Sequence, residues 1–510
     1  MDASFIQTLQ NPRIYPHEIH QFEMIQTHLS WIILTGNYAY KIKKPLNLGF
    51  QDFTTLEKRK YYCELETTLN KRLAPDLYID VVAITGTTIN PELNGTSAPI
   101  EYAIKMHQFS QEHMLSFMAS ENRLTAKIIK GIAEQLASFH INAEKAAPES
   151  AYGTLTAVIA PMRDNFQALF NMPITQPWHA TLKKLSSITE EKNKSLQNIL
   201  ERRKKDGWIR ATHGDVHLGN IVLINDTPVI FDCIEFNEDF RWTDTMNDVG
   251  FLFMDLMHKN LPDLAYMFIN HYLEISGDYE GLALLSFYAC YRAMVRAKIT
   301  GFQMAQTDPA SSQYQQLYQE LGTFIHLAEK FLAENQPTLS ITVGVSGSGK
   351  SSYTQKLMTQ QGALRLRSDV VRKQLLNLPL YEPTPDTQKA IVYSEETSQT
   401  VFEKLREYAK LYLHQGQSVI IDATCIKFWQ RALFASLAQD LKVPFKIFAF
   451  DADLNELVAR LEKRQKLKQV SDATIEVVRS QLNNFDALTP QEKSITTFVT
   501  NNEVIDAIGD

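Results

Sequence analysis

Apolar positions recur along this chain in two rhythms, and the switches between them divide it. From Trp31 to Pro45 apolar and polar residues alternate through WIILT, turn at Gly36-Asn37 and resume in YAYKIKK, which predicts paired strands. Leu65, Leu69 and Leu73 then repeat at helical spacing and predict a long helix from Phe53 to Leu73. It ends at Ala74-Pro75, where proline cannot continue it. Strand-like YIDVVAI and EYAIKM follow, so the early part reads as an antiparallel sheet with one helix packed on it.

Helical spacing takes over near Leu124, where Ile128, Ile129, Ile132, Ala133, Leu136 and Phe139 mark one apolar stripe. It runs to about residue 334, interrupted by two short strands, IVLI and PVIF, around Asn225-Asp226. Sheet first and helices second is an α+β order. The polar stretch Ala333 to Thr338, with a helix breaker at Pro337, reads as a linker. Beyond it LSITVGV, SVIID and FKIFAF alternate with helical segments, which predicts an α/β domain with a parallel sheet of βαβ units. The expected domains are therefore 1–335 and 336–510.

Size agrees, since 510 residues exceed what one hydrophobic core usually serves. A net charge of -7 argues against a chain that coats nucleic acid, although the basic run Lys463 to Lys468 leaves room for a local groove. Cys63, Cys233, Cys290 and Cys425 are widely spaced and form no CxxC pair, so neither a zinc ribbon nor a disulfide framework is expected. The first twenty residues lack the charged and apolar regions of a signal peptide, and the longest apolar stretch, Val249 to Met257, is broken by Asp255. A cytoplasmic protein without a membrane partner is the expectation.

Gly344-Val345-Ser346-Gly347-Ser348-Gly349-Lys350-Ser351 fits G-x-x-x-x-G-K-[ST] at every fixed position, between an apolar strand and a helical stretch. Gly344, Gly347 and Gly349 let backbone N–H groups, that of Ser348 included, curl around a triphosphate at the positive end of a helix. Lys350 would reach the outer phosphates, and the Ser351 hydroxyl would take a Mg²⁺ site. Downstream, Asp369 could accept a proton from a substrate hydroxyl and Arg372 could clamp an anion, or the two could form a plain i,i+3 ion pair. Asp422 ends an apolar strand, where a carboxylate needs Mg²⁺ or a bound water. Arg460 and Arg464 lie opposite a stripe of Leu454, Leu457, Val458 and Leu461, as either a lid over the phosphates or a solvated face.

Through GVSGSGKSS, SDVVRKQL, VIIDAT and SDATIEVVRSQLNNFDAL, residues 338–490 resemble the P-loop kinases that include zeta toxins, polynucleotide 5′-kinases and chloramphenicol phosphotransferase. The resemblance implies phosphate and Mg²⁺ binding by Lys350 and Ser351, Asp369 as base, and Arg460 and Arg464 in the lid.

A second site is signalled upstream. His213-Gly214-Asp215-Val216-His217-Leu218-Gly219-Asn220 sets an Asp and an Asn at the separation of a kinase catalytic loop, one to receive the acceptor proton and one to meet Mg²⁺. Asp232 follows the apolar Val229-Ile230-Phe231, where a metal-binding carboxylate is needed. Lys41 and Lys43 share one strand face, and pattern alone does not choose between them, though Lys43 reads more readily as a snorkelling surface lysine. Glu57, Glu64 and Glu66 are the partners on offer from the following helix.

HGDVHLGNI, FDCIEFNEDFRWTDTMNDVGFLFMDL and AYKIKKPLNLGFQDF resemble the aminoglycoside phosphotransferase-like family, of bilobal protein-kinase-like build, over residues 1–335. That resemblance implies Lys41 as the nucleotide lysine, Glu66 as its partner, Asp215 as base, and Asn220 and Asp232 as Mg²⁺ ligands. It also matches EYAIKM to the adenine-meeting hinge, and suggests Glu235, Asp239, Asp244 and Asp248 as acidic groups recruiting the acceptor. Asp232-Cys233-Ile234 stands where protein kinases have D-F-G. The whole resembles bacterial phosphotransferase/ATP-binding fusions.

The expectation is thus a phosphotransferase with two ATP·Mg²⁺ sites and a small hydroxylated acceptor. A nucleotide-sensing regulator and a nucleic-acid end kinase are the competing readings.

Overall fold

The computed structural model describes residues 3–499 except His20, Leu48, Phe50, Ala452, residues 466–469 and residues 471–473. The chain packs as two compact units, residues 1–259 with 291–325, and residues 260–290 with 326–510.

In the first unit a six-stranded antiparallel sheet is built from β1 (Glu23–Gln26), β2 (Ser30–Leu34), β3 (Tyr38–Lys43), β4 (Tyr78–Gly86), β5 (Pro91–Leu93) and β6 (Glu101–His107), in the order β1-β2-β3-β6-β4-β5. The expected hairpin is present, with Leu34 opposite Ala39 and Gly36 at φ 96° in its turn. The helix Leu56–Asn70 packs on this sheet and is shorter than expected, because the Thr55 side chain accepts the Lys58 N–H and caps it three residues past Phe53. EYAIKM is strand β6 itself, bonded to β3 and β4 on its two sides. The link to the helical part therefore begins after His107, and a hinge within EYAIKM is corrected to that point.

The helical part holds Ala126–Asn142, whose buried residues include the six predicted for its stripe. It also holds two small antiparallel pairs, β7 (Ile209–Ala211) with β10 (Trp242–Asp244), and β8 (Ile221–Ile224) with β9 (Thr227–Ile230). The helix Thr245–His258 is buried from Thr245 through Leu256, so each of its carboxylates needs an internal partner.

The second unit carries a five-stranded parallel sheet of β11 (Leu339–Val343), β12 (Leu364–Arg367), β13 (Val419–Asp422), β14 (Phe445–Phe450) and β15 (Thr496–Val499), in the order β12-β13-β11-β14-β15. β11 lies centrally and is buried at all five positions, as a strand covered on both faces must be. Packing does not follow the expected cut after residue 335. The helix Pro262–Ser276 groups with the C-terminal strands because Asn270 Oδ1 accepts the Arg365 N–H at 2.6 Å and Glu274 pairs with Arg365 and Arg367 at 3.0 and 3.1 Å. Among the described residues no helix is long and apolar enough to cross a membrane.

Candidate phosphotransfer sites

Alternation along β3 turns Lys41 and Lys43 to one side, and both ammonium groups meet the fully buried Glu66. Lys41 Nζ lies 2.7 Å from Glu66 Oε1 and 2.6 Å from Asp232 Oδ1. Lys43 Nζ lies 2.5 Å from Glu66 Oε2 and is also paired with Glu235. Lys43 is only 2% exposed, so its reading as a snorkelling surface lysine is corrected: two carboxylates hold it inside. Burial pushes the Glu66 carboxyl up, but the charges of Lys41 and then Lys43 outweigh it and hold it at about 2.

Asp232 follows β9 with φ 65°, a left-handed conformation rare outside glycine and asparagine, and its side chain keeps 42% of its exposure. Cys233, beside it, is buried. Its N–H donates to Asn70 Oδ1 at 2.8 Å, and burial pushes its thiol up to about 12.

The loop from His213 to Asn220 is held from behind by the buried helix. Asp248 accepts the N–H groups of His213 and Gly214 at 2.9 and 2.8 Å and lies 3.2 Å from His140 Nε2, while Asp255 accepts the Leu218 N–H at 2.8 Å. Gly214 has φ 86°, and a Cβ there would stand 2.8 Å from the Phe240 carbonyl oxygen. Asn220 Nδ2 donates to Asp215 Oδ2 at 2.9 Å, and His217 Nε2 lies 3.4 Å from the same oxygen. Burial raises the Asp215 carboxyl, yet His217, by charge and hydrogen bond, and then Arg292 bring it down to about 2. The Asp215 side chain is 34% exposed.

A hard cation fits this donor set. Asp232 is partly open, and the Asn220 amide oxygen accepts no hydrogen bond among the described residues. No cluster of three or more His, Cys, Asp or Glu side chains among the described residues could hold a metal by itself. Mg²⁺ here would need phosphate oxygens to complete its shell, as it commonly does.

Three of the four carboxylates suggested for acceptor recruitment have internal partners instead. Glu235 holds Lys43, Asp244 holds Arg203 at 2.7 Å, and Asp248 holds the His213–Asn220 loop. Asp239 is exposed.

In the second unit β11 runs into the P-loop and the helix Lys350–Gln361. At Gly344, φ is 155° and a Cβ would stand 2.8 Å from the Phe450 carbonyl oxygen, so the tight exit from the strand requires glycine. Gly347 and Gly349 also have positive φ, at 86° and 96°. Lys350 Nζ donates to the Val345 carbonyl at 2.7 Å and lies 3.4 Å from Ser348 Oγ. The Ser346 N–H donates to Gln481 Oε1 at 2.7 Å, from the helix Ile475–Asn483.

Ser351 follows Lys350 in the first turn, and its carbonyl accepts from Arg365 at 3.0 Å. Asp422 ends β13 as expected, where it accepts from Thr354 Oγ1 at 3.0 Å and lies 4.0 Å from Arg365. Asp369 pairs with Arg372 at 3.2 Å, the i,i+3 contact weighed for it, and keeps 35% side-chain exposure. Arg460 sits half-buried on the helix Leu454–Gln465, whose Leu457 and Leu461 pack with Val345 of the P-loop and Val478. The Arg464 side chain and most of the basic run 463–468 lie outside the described residues.

Sequence reasoning missed Gln481 and Glu274 and misread Lys43. Two-residue periodicity did place Lys43 beside Lys41, whereas nothing local marks Gln481.

A kinase-like unit in which Lys41, Glu66 and Asp232 meet beside the His213–Asn220 loop, joined to a P-loop unit, defines the class: the protein is a kinase-type phosphotransferase. Residues 107–285 match the phosphotransferase enzyme family and residues 339–488 match an AAA domain family. The chain is 27% identical over 452 residues to uncharacterized proteins of Mycobacterium tuberculosis and Mycobacterium bovis, covering 89% of this chain and 88% of theirs. Among solved structures it is similar to a choline/ethanolamine kinase family protein from Mesorhizobium loti, at 10% identity and TM-score 0.39, over 64% of this chain and 96% of that one. A gluconokinase from Sinorhizobium meliloti is matched at 16% identity and TM-score 0.24, over 34% of this chain and 94% of that one.

Proposed function

We propose that each half, taken as residues 1–335 and 336–510, binds one ATP·Mg²⁺ and that the N-terminal half transfers the γ-phosphoryl group to a hydroxyl of a small-molecule acceptor. The observation that carries this reading is the approach of four stretches of chain: Lys41 bridges Glu66 and Asp232 at 2.7 and 2.6 Å, Asn220 donates to Asp215 at 2.9 Å, and the N–H of Phe231, next to Asp232, donates to the Asn220 carbonyl at 2.9 Å. Lys41 would leave Asp232 to meet the α- and β-phosphates, and Asn220 and Asp232 would hold Mg²⁺. The metal supplies charge neutralisation between the phosphates. Asp215, ionised and hydrogen-bonded to Asn220, would take the acceptor hydroxyl's proton as that oxygen attacks.

In the C-terminal half the P-loop amides with Lys350 and Ser351 would cradle the triphosphate, Asp422 would act beside the metal, and Asp369 would be the base. Arg460 and Arg464 would close over the phosphates. The test is to incubate the full chain with γ-labelled ATP and a cell metabolite extract and seek phosphorylated products by mass spectrometry. The Asp215→Asn and Lys350→Ala variants serve as controls. Products that persist unchanged in both variants contradict the proposal.

A further inference from the structure

Two lysines on β3 divide the two oxygens of Glu66 between them, and each carries that carboxylate on to a second one. Lys41 links it to Asp232 at 2.6 Å and Lys43 links it to Glu235, three residues further along the same segment. The two bridges are not equivalent. The side chain of Lys41 is 14% exposed, and its partner Asp232, 42% exposed, is the carboxylate that a metal would claim. Lys43 is 2% exposed, its partners Glu66 and Glu235 are 0% and 7% exposed, and its ammonium also lies 4.8 Å above the Phe53 ring. An ammonium has three donors, and a group caged in this way cannot present one to a ligand.

We infer that Lys43 is a positioning residue for phosphotransfer, a buried strut that fixes Glu66 of the helix Leu56–Asn70 against the segment carrying Asp232. The inference rests on reading Lys41 as the lysine that meets the nucleotide.

When Lys41 turns to the phosphates and Asp232 to the cation, the bridge between them opens. The Lys43 bridge has no reason to open, because neither of its carboxylates is accessible to the ligand. It keeps Glu66 where one oxygen still orients Lys41, and it keeps Glu235 from drifting and taking Asp232 with it. The Cys233 N–H bond to Asn70, on the same helix, restrains the backbone of that segment but not its carboxylates. A buried ion pair is costly to assemble and stringent in its geometry, so it suits a role in placement better than one in stability.

The test uses the full chain in a Lys350→Ala background, so that the N-terminal site alone is read. Calorimetry measures Mg²⁺·AMP-PNP affinity, and thermal unfolding is followed in parallel. Lys43→Met is expected to weaken affinity by on the order of ten- to a hundredfold, the usual cost of losing a supporting partner. The double variant Lys43→Met/Glu235→Gln removes the charge left stranded, so it should recover the unfolding temperature while affinity stays low.

Recovery of both quantities in the double variant, or wild-type affinity in folded Lys43→Met, overturns the inference and leaves Lys43 as charge compensation. Lys41→Met separates the two levels. If it leaves affinity unchanged, the reading of the site fails. If it abolishes affinity while Lys43→Met does not weaken it, the strut alone fails.

Discussion

Asp248 accepts the backbone N–H of His213 at 2.9 Å across 35 positions of sequence, and takes that of Gly214 at 2.8 Å. A buried helix thus grips the turn immediately before Asp215. Asp248→Ala strands two buried N–H groups and should destabilise the N-terminal unit by roughly 2–6 kcal/mol, at about 1–3 for each. Chemical denaturation followed by a probe in that unit will show the shift, and a variant as stable as wild type would contradict it.

Base and nucleotide lysine should separate cleanly. Asp215→Asn keeps the shape of the loop but cannot accept a proton, so acceptor phosphorylation at the N-terminal site should fall by roughly 10²–10⁴-fold with nucleotide affinity retained. Lys350→Ala should remove nucleotide binding at the P-loop and leave the other site untouched. Calorimetric stoichiometry gives the count: two sites in the wild type, one in Lys350→Ala.

Acid should act through His213. Its Nδ1 accepts the Asp215 N–H at 3.2 Å and its Nε2 lies 3.0 Å from the Phe231 carbonyl, so a neutral ring with the proton on Nε2 satisfies both. Burial lowers its pKa from 6.5, outweighing the charges of Asp248 and Asp215 that raise it. With the folded value below the unfolded one, this contribution to stability is complete above 6.5 and is lost as the pH falls through the folded value. Unfolding temperature and phosphotransfer should therefore drop together on acidification below that point. His213→Gln should flatten that limb, and an unchanged profile in the variant would remove His213 from the explanation.

Glu274 holds two arginines of β12, and it is 4% exposed. Removing one member of such a group leaves uncompensated buried charge, so Glu274→Ala should destabilise the C-terminal unit by about 3–5 kcal/mol. Thermal unfolding of the full chain should show the loss in the transition that nucleotide at the P-loop stabilises.

What could be read from the sequence was local. The P-loop, the His213–Asn220 loop and the alternation of β3 each lie within ten residues, where spacing alone carries the geometry. Carboxylates were harder. The family resemblance offers Asp244 and Asp248 as acids that recruit the acceptor, and what makes them structural is Arg203, forty-one residues away from the first, and two backbone N–H groups held by the second. The packing of residues 260–290 with the C-terminal strands was hidden for the same reason. Pro337 breaks the chain locally, but no local signal shows that Glu274 and Asn270 face β12.

The left-handed backbone at Asp232 limits how that position can be probed. Asparagine tolerates the conformation, so Asp232→Asn reports the loss of a charge and little else, whereas a valine or isoleucine there would add steric distortion of the main chain to any change in metal affinity. Scans that treat all replacements at residue 232 alike would mistake a geometric fault for a chemical one.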